Sequence, residues 1–587
     1  MIPYQQVDQQ KNAQQTAGAD SRSAGASRSE SKSDSDANSL PATSQQPAFT
    51  SNTYSIGRAS AIMAAGTLVS RVLGLARTVL LTALIGTSVA GNVWNNANQL
   101  PNVIYILLAG GVINAVLVPQ ITRALTYDDG GQAYTDRLLT LAMSLLLGVT
   151  VICTAAGPLF FKIGFAGAAG STWHLGIIFS FICLPQIFFY GLYTLLGEVL
   201  NAHNRFGALM WSPVLANIFA IAGIVWLLIQ KPHHPIGDPR DWTLPMSLML
   251  GGSVTLGIVT QAVVLIIPLR RAGYVWRPNF TFRGVGLRSM SRVAGWTFAA
   301  VIMQQVGLFV VVGNILNTVA GAGIAQSNAF LLFMLPHSLV TLSLITALFT
   351  RMSRSAHAGS TGAVIEDVRL GLRLSGVTTV PVTLGCLVLT EPLVGTLFSK
   401  SGDTAMLISR PTIGMQLGII PFTVCAVVQR VFFAYESART PFFMQLVCTI
   451  MTSILTVLCV LLPAHWVGFG VALIGSITYM VEAAIGFRWL QQRRLGKIPM
   501  HDVIHTYVQL GFAAAIATIA TLIVRESIVA VIGSATRMTN LVTLVIVGAV
   551  FVALYVVVAR RLRVREIEDL IDLVLNRLRE LRRLAGR

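Results

Sequence analysis

Four arginines fall inside stretches that are otherwise apolar enough to cross a bilayer: Arg71, Arg77, Arg292 and Arg373. An arginine at mid-membrane depth costs a few kcal/mol, so by default it faces a polar interior and marks function. The bland alternative for Arg71 is snorkelling to an interface. Arg71 and Arg77 share one span, where the six-residue step turns an α-helix by about 600° and climbs about 9 Å. They therefore point about 120° apart, able to flank a broad cavity but not to form one tight clamp. Gly74 removes bulk from the face of Arg71. Planar guanidinium groups offer paired donors, which suits phosphate.

The second span adds Asn92, Asn95, Asn98 and Asn102, which at 100° per residue form a stripe about 120° wide. Two readings stand side by side: lining of a polar cavity, or hydrogen bonding between helices. Pro101 and the pair Gly110-Gly111 lie in the same segment and loosen it, as a moving gate requires. Carboxylates inside or at the ends of spans are few, namely Glu198, Glu391 and Glu482. The interior is thus net cationic, which fits an anionic headgroup, and Glu482 is the candidate for coupling to an ion. There is no GxxxxGK[ST] loop and no hydrolase or transferase constellation. His233-His234 beside Pro235 reads as a solvated turn, and no metal site is expected. The six cysteines all sit in apolar runs without a CxxC spacing, as small buried hydrophobes do.

The elements that position these residues follow from composition. The 587 residues are 54% hydrophobic and only 11% charged, against about 25% charged in soluble domains. Mean hydropathy is +0.69. Soluble enzymes and nucleic-acid binders are excluded, and the chain reads as an all-α integral membrane protein. Spans are expected near 59–84, 93–118, 137–160, 174–197, 209–229, 245–268, 290–313, 323–348, 371–396, 411–435, 442–463, 467–488, 506–524 and 539–559. That is fourteen helices, because the runs are long and lack the alternation of barrel strands.

Lysine and arginine sort between the loops. Those facing inward with a cytoplasmic N-terminus hold 17, the others 7, and both tails are basic. The bias places both termini in the cytoplasm and assigns the net charge of +18 to anionic lipid rather than nucleic acid. Residues 1–57, rich in Gln, Ser, Ala and Asp, are expected to be a disordered cytoplasmic tail. Residues 561–587 read as an amphipathic helix on the inner membrane surface, with a partner-binding coiled coil as the weaker option.

Two short strings recur in order. Ser70-Arg71-Val72-Leu73-Gly74 in the first span is echoed by Ser291-Arg292-Val293-Ala294-Gly295 in the seventh. Leu100-Pro101-Asn102 in the second is echoed by Leu335-Pro336-His337 in the eighth. Repeats of this kind build two-lobed secondary transporters with the substrate site between the lobes. The expected division is an N-lobe over 58–270 and a C-lobe over 271–497, followed by two further spans over 498–560.

The strings Ser70-Arg71-Val72-Leu73-Gly74-Leu75-Ala76-Arg77, Ala97-Asn98-Gln99-Leu100-Pro101-Asn102, Gly110-Gly111 and Val118-Pro119 resemble the MurJ/MviN family. Leu335-Pro336-His337-Ser338-Leu339-Val340-Thr341 and Arg439-Thr440-Pro441 resemble its actinobacterial branch. The resemblance implies a lipid II flippase of the multidrug/oligosaccharidyl-lipid/polysaccharide exporter superfamily, a bacterial plasma-membrane transporter and not an enzyme. It would serve peptidoglycan biosynthesis and cell shape by alternating access between two six-helix lobes, with helices thirteen and fourteen forming a groove for the lipid tail. The resemblance places the pyrophosphate on Arg71 and Arg77; the candidate gate residues remain Pro101, Gly110 and Gly111, with Pro336 as the counterpart of Pro101 in the repeat.

The chain departs from proteobacterial members at Asn92, where they carry an acid, at Tyr105 and Leu331, where they carry arginine, and at Gly110, where they carry glutamate. Arg292, Arg373 or Arg430 would then compensate, or the precursor is differently modified. The implied partners are lipid II, membrane lipids and cell-wall synthesis or division proteins. No cofactor is expected, the drive coming from the membrane potential or a monovalent cation. An anion moving outward gains about 2.3 kcal/mol per charge per 100 mV. The alternatives are a flippase for another polyprenyl-linked glycan, a cation-coupled drug antiporter, and a non-transporting scaffold for cell-wall enzymes.

Overall fold

In lipid a backbone must satisfy its own hydrogen bonds, so long apolar runs become helices. The computed structural model describes residues 53–108, 132–202, 206–231, 235–281, 291–338, 342–398, 403–437, 439–532 and 536–569. They form α1 (Thr53–Ile85), α2 (Val89–Leu108), α3 (Gln132–Ala155), α4 (Gly157–Gly164), α5 (Gly170–Cys183), α6 (Gln186–Ala202), α7 (Phe206–Gln230), α8 (Leu244–Val263) and α9 (Ile266–Arg271). After the join come α10 (Ser291–Gln305), α11 (Gly313–Asn317), α12 (Ala322–Pro336), α13 (Leu342–His357), α14 (Thr361–Phe398), α15 (Asp403–Gln416), α16 (Ile419–Ala434), α17 (Arg439–Val457), α18 (Ala464–Leu490), α19 (His501–Ile532) and α20 (Arg537–Arg561). A π-helical stretch, Val306–Val312, joins α10 to α11. No strand occurs among the described residues.

Eleven described helices are long and apolar enough to span a membrane, twelve with α15 and α16 counted as one span bent by 46°. The protein is a multi-pass membrane protein. The expected fourteen are not reached on this measure, for identifiable reasons. Asn92, Asn95, Asn96, Asn98, Gln99 and Asn102 make α2 too polar, while α12 stops after 15 residues at Pro336. The bend falls where the α-helical ladder lapses at Leu417-Gly418. There the Ser476 hydroxyl of α18 donates to the Gly414 carbonyl at 2.6 Å, and a Cβ on Gly418 would lie 2.4 Å from Ser476 Oγ.

The first half of the chain packs around Trp94, Phe161, Phe179, Leu184 and Trp242, the second around Val364, Val428, Phe432 and Met444. Helices α19 and α20 lean on α14, burying Leu510, Ala513, Phe551 and Tyr555 against Val377 and Val380. One end of the bundle is marked by Gly86, where Leu84 and Ala90 bond Ile236 and Gly237 and Gly321 lies against Thr87; α12 and α13 lead away from it to Arg354 in the last turn of α13. Leucine, isoleucine, valine and phenylalanine lie exposed along the flanks, as on Val508, Phe512, Ile519, Val545 and Val552. Such flanks face hydrocarbon in a membrane protein.

The segment after α20 turns back onto the bundle. Val564 and Ile567 are buried, Gln509 Nε2 donates to the Leu562 carbonyl at 2.9 Å, and Glu566 pairs with Arg373 at 3.2 Å. The start of the expected amphipathic surface helix is therefore docked on α14 and α19. Residues 570–587 and residues 1–52 of the expected 1–57 tail lie outside the described residues, while 53–57, expected in that tail, open α1 instead.

Candidate functional site

Near the Gly86 end the two lobes, the halves of the chain up to residue 270 and after it, are sewn together by amides. Asn92 Nδ2 donates to the Val319 carbonyl at 2.9 Å, and its Oδ1 accepts from the backbone of Gly323 at 2.9 Å and Ile324 at 3.3 Å. Asn95 donates to the Gly323 carbonyl at 3.3 Å and accepts from Ser327 Oγ at 2.8 Å, while Gln99 Nε2 reaches Ser327 at 3.1 Å. Asn328 donates to Thr82 Oγ1 at 3.0 Å.

Alongside, Asn314 Oδ1 accepts from the Ala166 backbone at 2.6 Å and Asn314 Nδ2 donates to the Ile163 carbonyl at 2.7 Å. Asn96 and Asn317, from opposite lobes, both donate to the carbonyl of Gly164. Buried helix-to-helix hydrogen bonds in membrane proteins average about 0.6 kcal/mol each, so a seam of this kind is worth a few kcal/mol. That is the scale on which a two-state protein balances its conformations: firm enough to close one end, weak enough to reopen.

Two glycines permit the approach. Gly321 holds φ of +78°, and a Cβ there would lie 2.3 Å from the Thr87 carbonyl carbon across the seam. A Cβ on Gly164 would strike the Phe309 ring at 2.3 Å. Only a residue without a side chain fits either place.

The first-helix arginines lie beyond this seam. Arg77 is roughly 12 Å and Arg71 roughly 21 Å along the α1 axis from Ile85. They point apart, as the spacing required. Arg71 donates to the Ser338 hydroxyl in the short π-turn after Pro336, so it reaches into the other lobe. Arg77 turns into its own lobe and lies near Tyr190 of α6. The Tyr190 ring lies 5.7 Å from that of Tyr105, whose hydroxyl hydrogen-bonds Thr194. Neither arginine forms an ion pair with a carboxylate among the described residues. Two uncompensated cations within the span of one helix attract an anion.

Residues 81–558 match the family described as Lipid II flippase MurJ. The chain belongs to the MurJ family. Among curated relatives, a probable lipid II flippase MurJ of Haemophilus influenzae is 25% identical over 437 residues, covering 70% of this chain and 82% of that one. One from Vibrio cholerae is 24% identical over 449 residues, covering 73% and 82%. A solved lipid II flippase MurJ in an inward closed conformation superposes with TM-score 0.67 at 18% identity, over 85% of this chain and 99% of that one. An inward-facing multidrug resistance MATE transporter of the MOP superfamily gives 0.58 at 16% identity, over 72% and 94%. The structural likenesses establish the shared fold.

Within this MurJ-family fold the remaining candidates take distinct places. Gly74 faces Asn217 of α7, whose side chain a Cβ would meet at 3.9 Å, so α7 rather than Arg71 occupies the space beside it. Asn98 is half-buried and Asn102 exposed on α2, away from the seam. Pro101 is buried in a helix that continues unbroken through it, whereas Pro336 ends α12. Arg373 is not a spare cation, because Glu566 neutralises it. Arg430 lies over the Phe349 ring at 5.3 Å. Glu391 is paired with Arg525. Glu482 is 3% exposed and accepts from Gln429 Nε2 at 3.0 Å. Leu331 is half-buried on α12, while Gly110, Gly111, Val118-Pro119 and Val340-Thr341 lie outside the described residues. The side chain of Arg292 lies outside them too.

Asn96, Asn314, Asn317, Ser327 and Asn328 were not anticipated from the sequence, nor was Ser338 as the partner of Arg71. A signal existed: Asn314 and Asn317 are spaced to share a helix face at the end of the seventh span, as the amides of α2 do.

Proposed function

We propose that the protein is a lipid II flippase, a transporter that carries the polyprenyl-pyrophosphate-linked peptidoglycan precursor from the inner to the outer leaflet of the bacterial plasma membrane. The observation that carries this reading is the pair Arg71 and Arg77, unpaired by carboxylates among the described residues and set just beyond a closed interlobe seam, in a chain of the MurJ family. The loop charge bias orients the Arg354 end and both termini toward the cytoplasm. The amide seam then seals the outer face while the arginines await an anion from within.

The pyrophosphate engages Arg71 and Arg77 while the lipid tail stays in hydrocarbon, against the exposed flank of α19 and α20. Drawing Arg71 toward a phosphate competes with its bond to Ser338, one of the ties between lobes, and so loosens the lobes from each other on the cytoplasmic side of the seam. Outward movement of the anion is favoured by the membrane potential. Partners beyond lipid II and the surrounding lipids are the enzymes of cell-wall synthesis and division.

Depleting the protein in its host and measuring lipid II exposed at the outer leaflet tests the reading. Exposure falls on depletion and returns with the wild-type chain. Unchanged exposure contradicts it and moves a flippase for another glycan, or a scaffold, ahead.

A further inference from the structure

Glu482 lies deep in the C-lobe where α16, α17 and α18 converge. It is 3% exposed, and Gln429 of α16 supplies the donor at 3.0 Å, with the Cys448 thiol of α17 also in hydrogen-bond reach. The other titratable groups facing it are Cys425 of α16 and Tyr479 one turn away on α18. Among the described residues the cations of these elements are placed elsewhere: Arg410 of α15 over Trp466, Arg430 of α16 over Phe349, Arg439 of α17 over Phe443, Arg493 and Arg494 over Trp489 and Tyr435, and Arg488 of α18 itself exposed in that helix's last turn. A carboxylate buried without a cation pays a desolvation penalty of several kcal/mol. A hard metal cation needs several oxygen ligands, and this site offers an amide donor and thiols instead.

A chain of ring contacts leads from this carboxyl to the first-helix arginine. The rings of Tyr479 and Phe422 lie 4.9 Å apart, and those of Phe422 and His337 4.7 Å apart in an edge-on contact. Thr423 hydrogen-bonds His337 at 3.4 Å, and the residue after His337 is Ser338, which holds Arg71. Phe422, Thr423 and Gln429 all ride on α16, the half of the broken helix beyond the 46° bend. A change at Glu482 therefore acts on the segment that also packs on the partner of Arg71.

We propose that Glu482 is a proton-binding site, occupied in this conformation, that couples through α16 and the Tyr479–Phe422–His337 stack to the Arg71–Ser338 contact. Binding adds one proton to one carboxylate oxygen, and release returns it. The coupling, though not the site, rests on the flippase reading. Loss of the proton leaves a charge that draws water and separates α16 from α18, shifting the bent helix and the π-turn it supports.

The test uses the purified full-length chain in liposomes. Infrared spectroscopy at neutral pH shows the band of an un-ionised buried carboxyl that Glu482→Gln removes, Gln429→Leu shifts and sodium leaves in place. A wild type without the band, a band that sodium abolishes, or one indifferent to both substitutions overturns the site. Movement of a fluorescent polyprenyl-pyrophosphate glycan is then read as the ratio of rates with and without a pH gradient at zero potential. Wild type responds by up to about tenfold per pH unit, the worth of one proton, and Phe422→Leu keeps the band but loses most of the response. A Phe422→Leu chain with the full response overturns the coupling. A wild type that shows the band but moves no precursor supports the site and contradicts the flippase reading.

Discussion

The guanidinium of Arg71 donates to the hydroxyl of Ser338, joining the first helix of one lobe to the turn that follows Pro336 in the other. The cation expected to meet the pyrophosphate is thus itself a tie between the lobes. An anion that withdraws it does two things at once: it gains a charge partner and removes a bond holding the lobes in place. Ser338→Ala separates these roles. It leaves Arg71 charged and unpartnered, so precursor binding tightens or stays level while the lobes part more readily. Fluorescent-precursor affinity and interlobe distance by spin-label spectroscopy check both, and a several-fold loss of affinity contradicts the assignment.

The seam depends on glycine at Gly321. With φ of +78° and a Cβ position 2.3 Å from Thr87, Gly321→Ala must displace the α11–α12 turn. Labelling of an introduced Ser327→Cys by a charged thiol reagent reports the opening. It rises at least about tenfold, corresponding to about 1.4 kcal/mol of lost closure, and transport falls as the cycle stays open at one end.

Asn92→Ala gives a graded version of the same effect. It strips one donor and an acceptor shared by two backbone amides. Leaving buried groups unmatched costs about 1–3 kcal/mol, so Ser327→Cys labelling rises, while Asn102→Ala, exposed and outside the seam, changes labelling by less than about twofold.

Arg373 and Glu566 form a dock for the segment after α20. Arg373→Gln and Glu566→Gln are expected to lower thermal stability alike, and their combination to cost little more than either alone, as coupled partners do. Additive losses in a double-mutant cycle contradict the pairing. Transport persists in each variant, because this cation serves packing.

His357 at the Arg354 end carries the pH dependence most open to solution measurement. The Ser353 carbonyl at 2.7 Å, and then Glu436 at 3.5 Å, hold its pKa above the ordinary imidazole value. A raised pKa means the link to Glu436 is at full strength below the unfolded value, about 6.5, and is lost as pH rises through the folded one. The protection of amides in the turn around Glu436, taken relative to their intrinsic base-catalysed exchange rate, should therefore fall on going from mildly acidic to alkaline pH. Glu436→Gln should flatten that profile.

The all-helical fold and the divergent directions of Arg71 and Arg77 were legible in the sequence, because periodicity and hydropathy are local properties. The fate of each polar residue was not. The α2 amides read equally as cavity lining or helix glue, and Asn92 and Asn95 prove to be glue across lobes because Gly321 and Gly164 let the backbones approach. Arg373 looked like Arg71 on hydropathy alone, and only its partner, almost two hundred residues later in the chain, shows that one is neutralised and the other is not. Partnering also explains why α2, expected as a span, falls short on hydropathy: it is polar because its amides have partners, which no hydropathy window registers.

The most direct test places the purified chain in liposomes with a fluorescent polyprenyl-pyrophosphate glycan in one leaflet and an imposed, inside-negative potential. Wild type should move the lipid to the other leaflet. Arg71→Gln/Arg77→Gln, inserted to equal amount, should slow that movement at least about a hundredfold, because two charge-assisted phosphate contacts at roughly 1.5–3 kcal/mol each are lost. Equal rates for the double variant and the wild type would contradict the assignment of these arginines as the anion site.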